Sequence, residues 1–256
     1  MLHPAEDLVK TGTPVEVARR GRRAIARFAR PVGDFDASRY FRGGECLGFY
    51  NVGSATVRRL GKAIARAHRG RWTVDDAVRC AALLVRDRHL EVKGLGVEIL
   101  AAFRRDFEPR HLAIWKRWLA ANRAANWATT DAMCGMLIGP LLVAHPRLVR
   151  VVAGWSRDSN LWIRRASAVG LLQSIRKGSA LDTAYRVARA LHPDRADLIQ
   201  KAVGWMIREA GKVDVGRLEQ YLRANGPSIP RTTVRYAMER FPPAQRRMLL
   251  SATRRH

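Results

Sequence analysis

The chain has 256 residues, 47% of them hydrophobic, which is enough to bury a core and argues against wholesale disorder. Its 47 lysines and arginines against 22 acidic residues give a formal net charge of +25. A folded protein this basic repels itself unless a polyanion neutralises it, so the composition favours nucleic acid as the partner. An anionic membrane is the weaker alternative, because we find no apolar run approaching the roughly 20 residues that span a bilayer.

The cysteines and the N-terminal segment indicate the compartment. Cys46, Cys80 and Cys134 are odd in number, widely spaced and without a CxxC pair, which fits a reducing compartment and argues against a disulfide framework or a zinc site. Met1–Lys10 lacks the apolar stretch of a signal peptide. Ala18–Arg30 is Arg-rich like a transit peptide, but the acids before it favour an ordinary first helix. We therefore expect a cytoplasmic, nucleoid-associated protein without metal or cofactor.

Helical periodicity runs through almost every segment, and no strand pattern is long enough to be convincing. In the first half we expect helices from Thr13-Pro14 to about Ala29, over Ser38–Arg42 with Asp36 as its cap, from Ser54 as cap to about His68, from Thr73, over His89–Arg105, over Pro109–Asn122, and around Trp127 up to Gly139-Pro140. In the second half we expect Pro146–Trp155, a helix capped by Ser159 or Asn160, Ser179–Leu191, Asp194–Ala210, and three short helices punctuated by Gly211, Gly226-Pro227, Pro230 and Pro242-Pro243.

The spacing of these helices predicts an all-α architecture. Paired helices recur about every 35–45 residues, which is typical of a HEAT-like α-solenoid, although no strict sequence repeat is evident. Such arrays curve, and a concave basic groove would suit duplex DNA. No long linker divides the chain, so we expect one helical-repeat domain over residues 1–256, with an N-terminal helix region over 1–35.

The helix predicted from Ser54 carries a basic stripe. Its members, about one turn apart, are Arg58, Lys62, Arg66 and Arg69. A helix lying along a phosphate backbone has this pattern. A solvated charged face is the alternative, but it would normally interleave glutamates with the basic residues.

The segment around Trp127 holds the candidate for chemistry. Trp127 and Asp131 are four residues apart and so share a helix face. An indole beside a carboxylate can hold and stabilise a cation next to a sugar or base. The alternative is a core tryptophan near a solvated aspartate.

A second aromatic candidate lies in the helix predicted over Asp194–Ala210. Lys201, Trp205 and Arg208 fall on one face, and a tryptophan between two cations is poorly placed in a core. By contrast, Trp115 and Trp118 have leucine neighbours and are expected to be buried. HExxH, GxxxxGK[ST] and GxGxxG are absent, so the sequence supports neither a metalloprotease nor a nucleotide-binding loop.

Taken in order, these residues resemble the HEAT-like DNA glycosylases of the alkylpurine glycosylase D type, also called DNA alkylation repair enzymes. The resemblance runs from about Tyr40 to Phe241. Its pieces are Tyr40-Phe41, Leu47–Val52, Asn126-Trp127 with Asp131, Trp162–Arg165, Gln200–Trp205 through Arg208-Glu209, and Pro230–Ala237. Ala128 departs from the family pattern, since many relatives carry an acid there.

The resemblance implies a monofunctional glycosylase that excises positively charged N3- and N7-alkylpurines from duplex DNA without base flipping. A monomer suffices for this reaction, and we expect no membrane partner. The family's aspartate and two tryptophans correspond to Asp131, Trp127 and Trp205. Its DNA-binding cations would fall on Arg164, Arg165, Lys201 and Arg208, and we add Arg231 and Arg235 from the last matching segment and Arg58, Lys62 and Arg66 from the stripe.

Two alternatives belong to other classes. A non-catalytic HEAT-repeat DNA- or RNA-binding protein would keep the basic surface but would gain nothing from a carboxylate at Asp131. A membrane-surface or scaffold helical array would predict a hydrophobic concave face instead of a basic stripe.

Overall fold

The computed structural model describes residues 10–31, 33, 41 and 47–253, and all structural statements below concern these. The predicted helix over Ser38–Arg42, its cap Asp36, and Cys46 lie outside them, with the exception of Phe41. The described residues form one isolated parallel bridge, between Gly48 and His89, and no β-strand. The all-α prediction is therefore confirmed.

The α-helices are, in chain order, α1 (Pro14–Arg27), α2 (Ser54–His68), α3 (Val74–Leu84), α4 (Leu90–Ala101), α5 (Pro109–Ala120), α6 (Trp127–Met133), α7 (Gly139–Ala144), α8 (Leu148–Gly154), α9 (Leu161–Val169), α10 (Leu172–Arg176), α11 (Leu181–Leu191), α12 (Asp197–Val213), α13 (Val215–Asn225), α14 (Arg231–Ala237) and α15 (Pro243–Ala252). Short 3₁₀ turns cover Arg104–Asp106, Trp155–Arg157 and Gly226–Ser228, and a π turn covers Cys134–Ile138.

These helices pack into two compact units, one over residues 1–137 and one over 138–256. The single domain over 1–256 stays a prediction. In the first unit, α1 to α4 enclose an apolar core that includes Ile25, Leu60, Ile64, Leu95 and Ile99.

The close packing of α2 on α4 depends on one glycine. A Cβ on Gly61 would lie 2.6 Å from the Cβ of Glu98, closer than real Cβ contacts, so any larger residue would push the two helices apart. This contact holds the basic stripe of α2 beside the C-terminal end of α4.

Local capping explains several helix starts. Thr13 with Glu16, and Thr73 with Asp76, each form a reciprocal capping box that satisfies backbone N–H groups at the start of α1 and α3. The prediction that Ser54 caps α2 is wrong, because Gly53 is the N-cap and no side chain accepts there.

The helix that begins at Trp127 does not end at Gly139-Pro140 as predicted. It widens into the π turn over Cys134–Ile138 and continues as α7 to Ala144. Pro140 sits in the first turn of α7, where a missing N–H is tolerated, so the wide turn lets the helix pass a residue that would otherwise stop it.

This continuous helix qualifies the expectation about membranes. Trp127–Ala144 is 18 residues long with a mean hydropathy of 1.3, enough to cross a membrane by length and composition alone. Half of it is buried inside the protein, and it carries Asp131. A core helix of a folded protein passes the same test, so this stretch is weak evidence for a membrane span.

The second unit is built around α12, which packs against α9, α10, α11, α13 and α14. A Cβ on Gly204 would lie 2.8 Å from the carbonyl oxygen of Thr233, so glycine permits α12 and α14 to approach closely. The hydroxyl of Thr233 also donates to the carbonyl of Gln200 at 2.9 Å. These contacts fix the helix that carries Trp205.

Candidate nucleic-acid site

Trp127 and Asp131 lie one turn apart on α6, and both side chains are partly exposed. The helix starts at Asn126, whose buried side-chain oxygen accepts the backbone N–H of Thr129 at 2.8 Å. The buried hydroxyl of Thr130 donates to the carbonyl of Ala124 at 2.8 Å. The short helix is thus anchored on its inner side, while the indole and the carboxylate are presented on a more open face.

A buried lysine holds the loop that precedes α6. Lys93 on α4 is 1% exposed, and its Nζ donates to the carbonyls of Val85 at 3.0 Å and Arg123 at 2.9 Å. An ammonium group that is buried this deeply needs such acceptors. Lys93 therefore ties the C-terminal end of α3 to the loop that places Trp127.

Two phenylalanines form the packing behind Trp127. The Phe41 ring stacks on the Trp127 ring with centroids 5.4 Å apart and planes inclined by 15°. Phe49 packs on Phe41, again with centroids 5.4 Å apart. From the sequence, Phe41 and Phe49 were recognised only as members of segments that resemble the family. Their contact with Trp127 was not predicted, because helical periodicity gives no information on contacts between a loop and a distant helix.

The basic stripe of α2 lines a cavity of about 980 Å³ within the first unit. Its charged lining comprises Arg58, Lys62, Arg66, Arg69, Arg104 and Arg105 together with Glu98 and Asp106. Met136 lines the same cavity and belongs to the π turn that follows Asp131. The helix that carries the carboxylate and the helix that carries the stripe therefore border one basic cavity.

The members of the stripe differ in their partners. Arg58 forms a long ion pair with Glu98, with 3.4 Å between Nε and Oε1. Lys62 and Arg66 are exposed and have no ion pair or hydrogen-bond partner in the described part of the chain. Arg104 and Arg105 on the 3₁₀ turn are exposed as well. Sequence reasoning missed these two, although consecutive arginines directly after an apolar helix were the available signal.

In the second unit, Trp205 on α12 is partly exposed, as expected of a residue that lines a surface. Its cationic neighbours are not free. Lys201 pairs with Asp197 at 2.7 Å, and Arg208, whose side chain is 18% exposed, pairs with Glu239. This face of α12 is therefore less cationic than its sequence indicated.

Arg164 and Arg165 are engaged inside the second unit. Arg165 is 6% exposed and donates to the carbonyl of Leu198 at 2.5 Å. Arg164 pairs with Asp194 at 2.7 Å and donates to the carbonyl of Ser159. Sequence reasoning placed both on phosphates, and for Arg165 the burial argues against that role. Arg165 is buried by contacts between helices that are far apart in the sequence, and these contacts cannot be predicted from helical spacing.

The two arginines of α14 also differ from each other. Arg231 donates to the backbone carbonyls of Thr253 and Leu250, which ties α14 to the end of α15. Arg235 is exposed, with no hydrogen-bond or ion-pair partner in the described part of the chain. Both residues are exposed, but the guanidinium of Arg231 is already engaged by backbone carbonyls, whereas that of Arg235 is not.

The described residues contain no group of three or more His, Cys, Asp or Glu that could hold a metal ion. Cys80 and Cys134 are buried. Burial raises the pKa of the Cys80 thiol to about 12, so at neutral pH it is not a thiolate nucleophile. Asp131 is an acidic side chain that shares the partly exposed face of α6 with the indole of Trp127.

Comparison with known proteins places the chain in a family of DNA repair enzymes. Residues 24–241 match the model of the family described as DNA alkylation repair enzyme. The fold is similar to that of a predicted DNA alkylation repair enzyme from Enterococcus faecalis, with a TM-score of 0.71 and 15% identity over 80% of this chain and 93% of the other. No curated protein matches the chain. The structural match shows the shared fold, so the predicted all-α, solenoid-like fold class is confirmed.

Proposed function

Because the chain belongs to the DNA alkylation repair enzyme family, we propose that it is a monofunctional DNA glycosylase that hydrolyses the N-glycosidic bond of positively charged alkylated purines in duplex DNA. Its substrates would be N3- and N7-alkyl adducts. The family membership implies a DNA substrate, whereas the reaction and the lesion class are our proposal.

The observation that carries the proposal is the pairing of Trp127 and Asp131 on one face of α6, a helix whose continuation through the π turn reaches the basic cavity at Met136. Glu98 and Asp106 already line the cavity among the arginines, so Asp131 is distinguished by its indole neighbour and not by its charge alone. A carboxylate next to an indole does suit a cation that forms during a reaction.

One carboxylate is enough for this chemistry. An alkylated purine already carries a positive charge and leaves as a neutral base, so no general acid has to protonate it. The barrier lies in the oxocarbenium ion that develops on the deoxyribose, which Asp131 would stabilise while it orients the attacking water. Glycosidases that act on sugar polymers need a second carboxyl because their leaving group must be protonated.

The tryptophans would contact the sugar and backbone beside the lesion. Trp127 would pack on the apolar face of the deoxyribose, and its π system would favour the cation. The resemblance to the family implies the same kind of contact for Trp205 on α12. The base would stay stacked instead of entering a pocket, since contacts to the sugar and backbone suffice when the base leaves on its own charge.

We assign duplex binding to exposed cations. Arg58, Lys62 and Arg66 would contact phosphates from the cavity of the first unit, and Arg235 would do so from the second. Lys201 is partly exposed and would have to exchange Asp197 for a phosphate. Arg165 is left out of this set because it is buried. The protein would act as a cytoplasmic, nucleoid-associated monomer in base excision repair, with HEAT-type repeats as the scaffold and no metal or cofactor.

Incubation with methylated duplex DNA tests the reaction directly. We expect release of methylated purines, detected by chromatography, and abasic sites in the duplex but no strand cleavage by the protein. Undamaged duplex is the control and should release nothing. Tight binding to both duplexes without base release would favour the non-catalytic nucleic-acid-binding protein instead.

A further inference from the structure

The arginine-rich segment at the start of the chain is not used by the proposed reaction. On α1, Arg19, Arg23 and Arg27 recur every four residues, and we call these three the α1 stripe. At a rise of 1.5 Å per residue the α1 stripe is about 12 Å long. All three side chains are exposed, and none has an ion pair or a hydrogen bond from its guanidinium in the described part of the chain.

Other charged residues of the same helix do have partners. Arg22 pairs with Asp87 at 2.5 Å, and the guanidinium of Arg20 donates to the carbonyl of Lys10 at 2.7 Å. The carboxylate of Glu16 accepts from both the backbone N–H and the hydroxyl of Thr13 in the capping box, and these bonds, with the charges of Arg20 and Arg19, lower its pKa. The helix thus uses two arginines for its own structure and leaves three whose guanidinium groups make no hydrogen bond or ion pair among the described residues.

The helix that carries the α1 stripe is packed firmly into the first unit. Val17, Ala18, Ala24 and Ile25 on the opposite side of α1 are each at most 3% exposed, within the core of the first unit. The indole N–H of Trp72 donates to the carbonyl of Gly12 at 3.0 Å, which anchors the start of the helix. Binding therefore has to order the three arginine side chains but not the backbone that carries them, which costs less entropy than binding through a mobile segment.

The stripe lies outside the basic cavity, since none of the residues that line the cavity belongs to α1. We propose that the α1 stripe is a second, lesion-independent contact to the phosphate backbone of duplex DNA. It goes beyond the proposed excision reaction because it requires no damaged base. Such a contact would raise affinity for undamaged duplex and so keep the protein on DNA while it searches.

The burial of α1 decides between DNA and a membrane surface. A helix that binds a membrane must insert its apolar face into the lipid. In α1 that face is already packed in the core, so only the arginines are available to an external partner. A polyanion that makes charge contacts without inserting an apolar surface is what remains, and DNA is the polyanion implied by the family.

The test compares two triple variants with equal charge loss on an undamaged fluorescent duplex. R19Q/R23Q/R27Q removes the α1 stripe, and R240Q/R246Q/R247Q removes three exposed arginines of the second unit. Affinity is measured by anisotropy over a range of salt concentrations. We expect the plot of log affinity against log salt to flatten by up to about 0.9 for each stripe arginine removed, and much less for the control.

A charge-retaining variant, thermal melts and vesicle binding complete the test. R19K/R23K/R27K keeps the charges and should keep most of the slope, while thermal melts of every variant should match the parent because the side chains are exposed. An equal effect of the two glutamine triples, or no effect of the stripe triple, would overturn the proposal. So would a loss of binding to phosphatidylglycerol vesicles without a loss of binding to DNA.

The outcome is separable from that of the excision reaction. Single-turnover base release at saturating protein should be unchanged in R19Q/R23Q/R27Q, since the α1 stripe neither lines the basic cavity nor lies on the helix that carries Asp131. If the parent binds undamaged duplex through the stripe but releases no base, the stripe stands and the glycosylase proposal fails. If the parent releases base but the α1 stripe has no effect on binding, the glycosylase proposal stands and the stripe proposal fails.

Discussion

The ring of Phe41 lies almost parallel to the ring of Trp127, with centroids 5.4 Å apart and an angle of 15° between the planes. Phe41 is buried and Trp127 is partly exposed, so one face of the indole is covered while part of the side chain remains open to a ligand. The stack sets the plane of the indole relative to Asp131, its neighbour one turn along α6.

We therefore expect Phe41→Leu to slow base release, because leucine keeps the apolar contact but no longer sets the indole plane. The rate should fall by up to about tenfold, the equivalent of the roughly 1.5 kcal/mol of an aromatic pair. Phe107→Leu is the matched control, since Phe107 packs edge-on against Trp115 instead of Trp127. Single-turnover rates of base release are compared at a temperature where both variants are folded. Equal rates in the two variants would show that Phe41 does not position Trp127.

Asp131→Asn should lose most base release and keep affinity for duplex DNA. The substitution preserves size while it removes the negative charge that would stabilise the oxocarbenium ion, a change that typically costs about 10²–10³ in rate. Base release and anisotropy on the same methylated duplex measure the two effects. An asparagine variant that excises at the parental rate would end the proposed role of Asp131.

Three tryptophans should separate stability from activity. Trp115 is fully buried against Phe107 and His111, so Trp115→Ala should cost about 3–5 kcal/mol in free energy of unfolding through the cavity it leaves. Trp127→Ala and Trp205→Ala should cost less, because both side chains are partly exposed, but should lose lesion excision. Denaturant unfolding and excision assays on the three variants test this. If the last two unfold as readily as Trp115→Ala while their folded fraction excises normally, both indoles are core residues.

The stripe of α2 should dominate the salt dependence of binding at the cavity. Lys62→Gln with Arg66→Gln removes two exposed cations without a partner, and should flatten the salt slope by up to about 0.9 for each phosphate that is no longer neutralised. Adding Arg58→Gln should change it less, because Arg58 already faces Glu98. Arg246→Gln with Arg247→Gln is the charge-matched control. An unchanged slope in the stripe variant would place these side chains in plain solvent.

His192 should make the protein less stable in mild acid. His192 lies 2.8 Å from the hydroxyl of Tyr221 through its Nε2, and burial together with nearby Arg189 lowers the pKa of His192 to about 4. The unfolded chain takes up the proton near pH 6.5 and the folded protein only near pH 4. Stability is therefore fully present above about pH 6.5 and is lost as the pH falls through 4, by at most about 3 kcal/mol.

Urea unfolding between pH 7.5 and 5 measures this decrease in stability. Over that range the carboxylates remain largely ionised, so the decline reports mainly on histidine. The decline should be smaller in His192→Gln, which has no proton to gain. An identical decline in the variant would assign the effect to other groups.

Much of the local structure was predictable because it depends on neighbours in the sequence. The capping boxes at Thr13 and Thr73, the cap at Asn160 and the buried positions of Trp115 and Trp118 follow from spacings of three or four residues. The shared face of Trp127 and Asp131 is of the same kind. Composition pointed to a polyanionic partner, and the match to a DNA alkylation repair family is consistent with it.

What the tertiary structure decided concerns residues far apart in the chain. The stack of Phe41 on Trp127, the hold of Lys93 on Arg123 and the burial of Arg165 each depend on how one element packs against another. The passage of the helix through Pro140 depends on a π turn that no residue pattern announces. Short-range spacing determines which side chains share a helix face, whereas packing determines which of those faces is covered. The sequence therefore does not distinguish the exposed Arg66 from the buried Arg165.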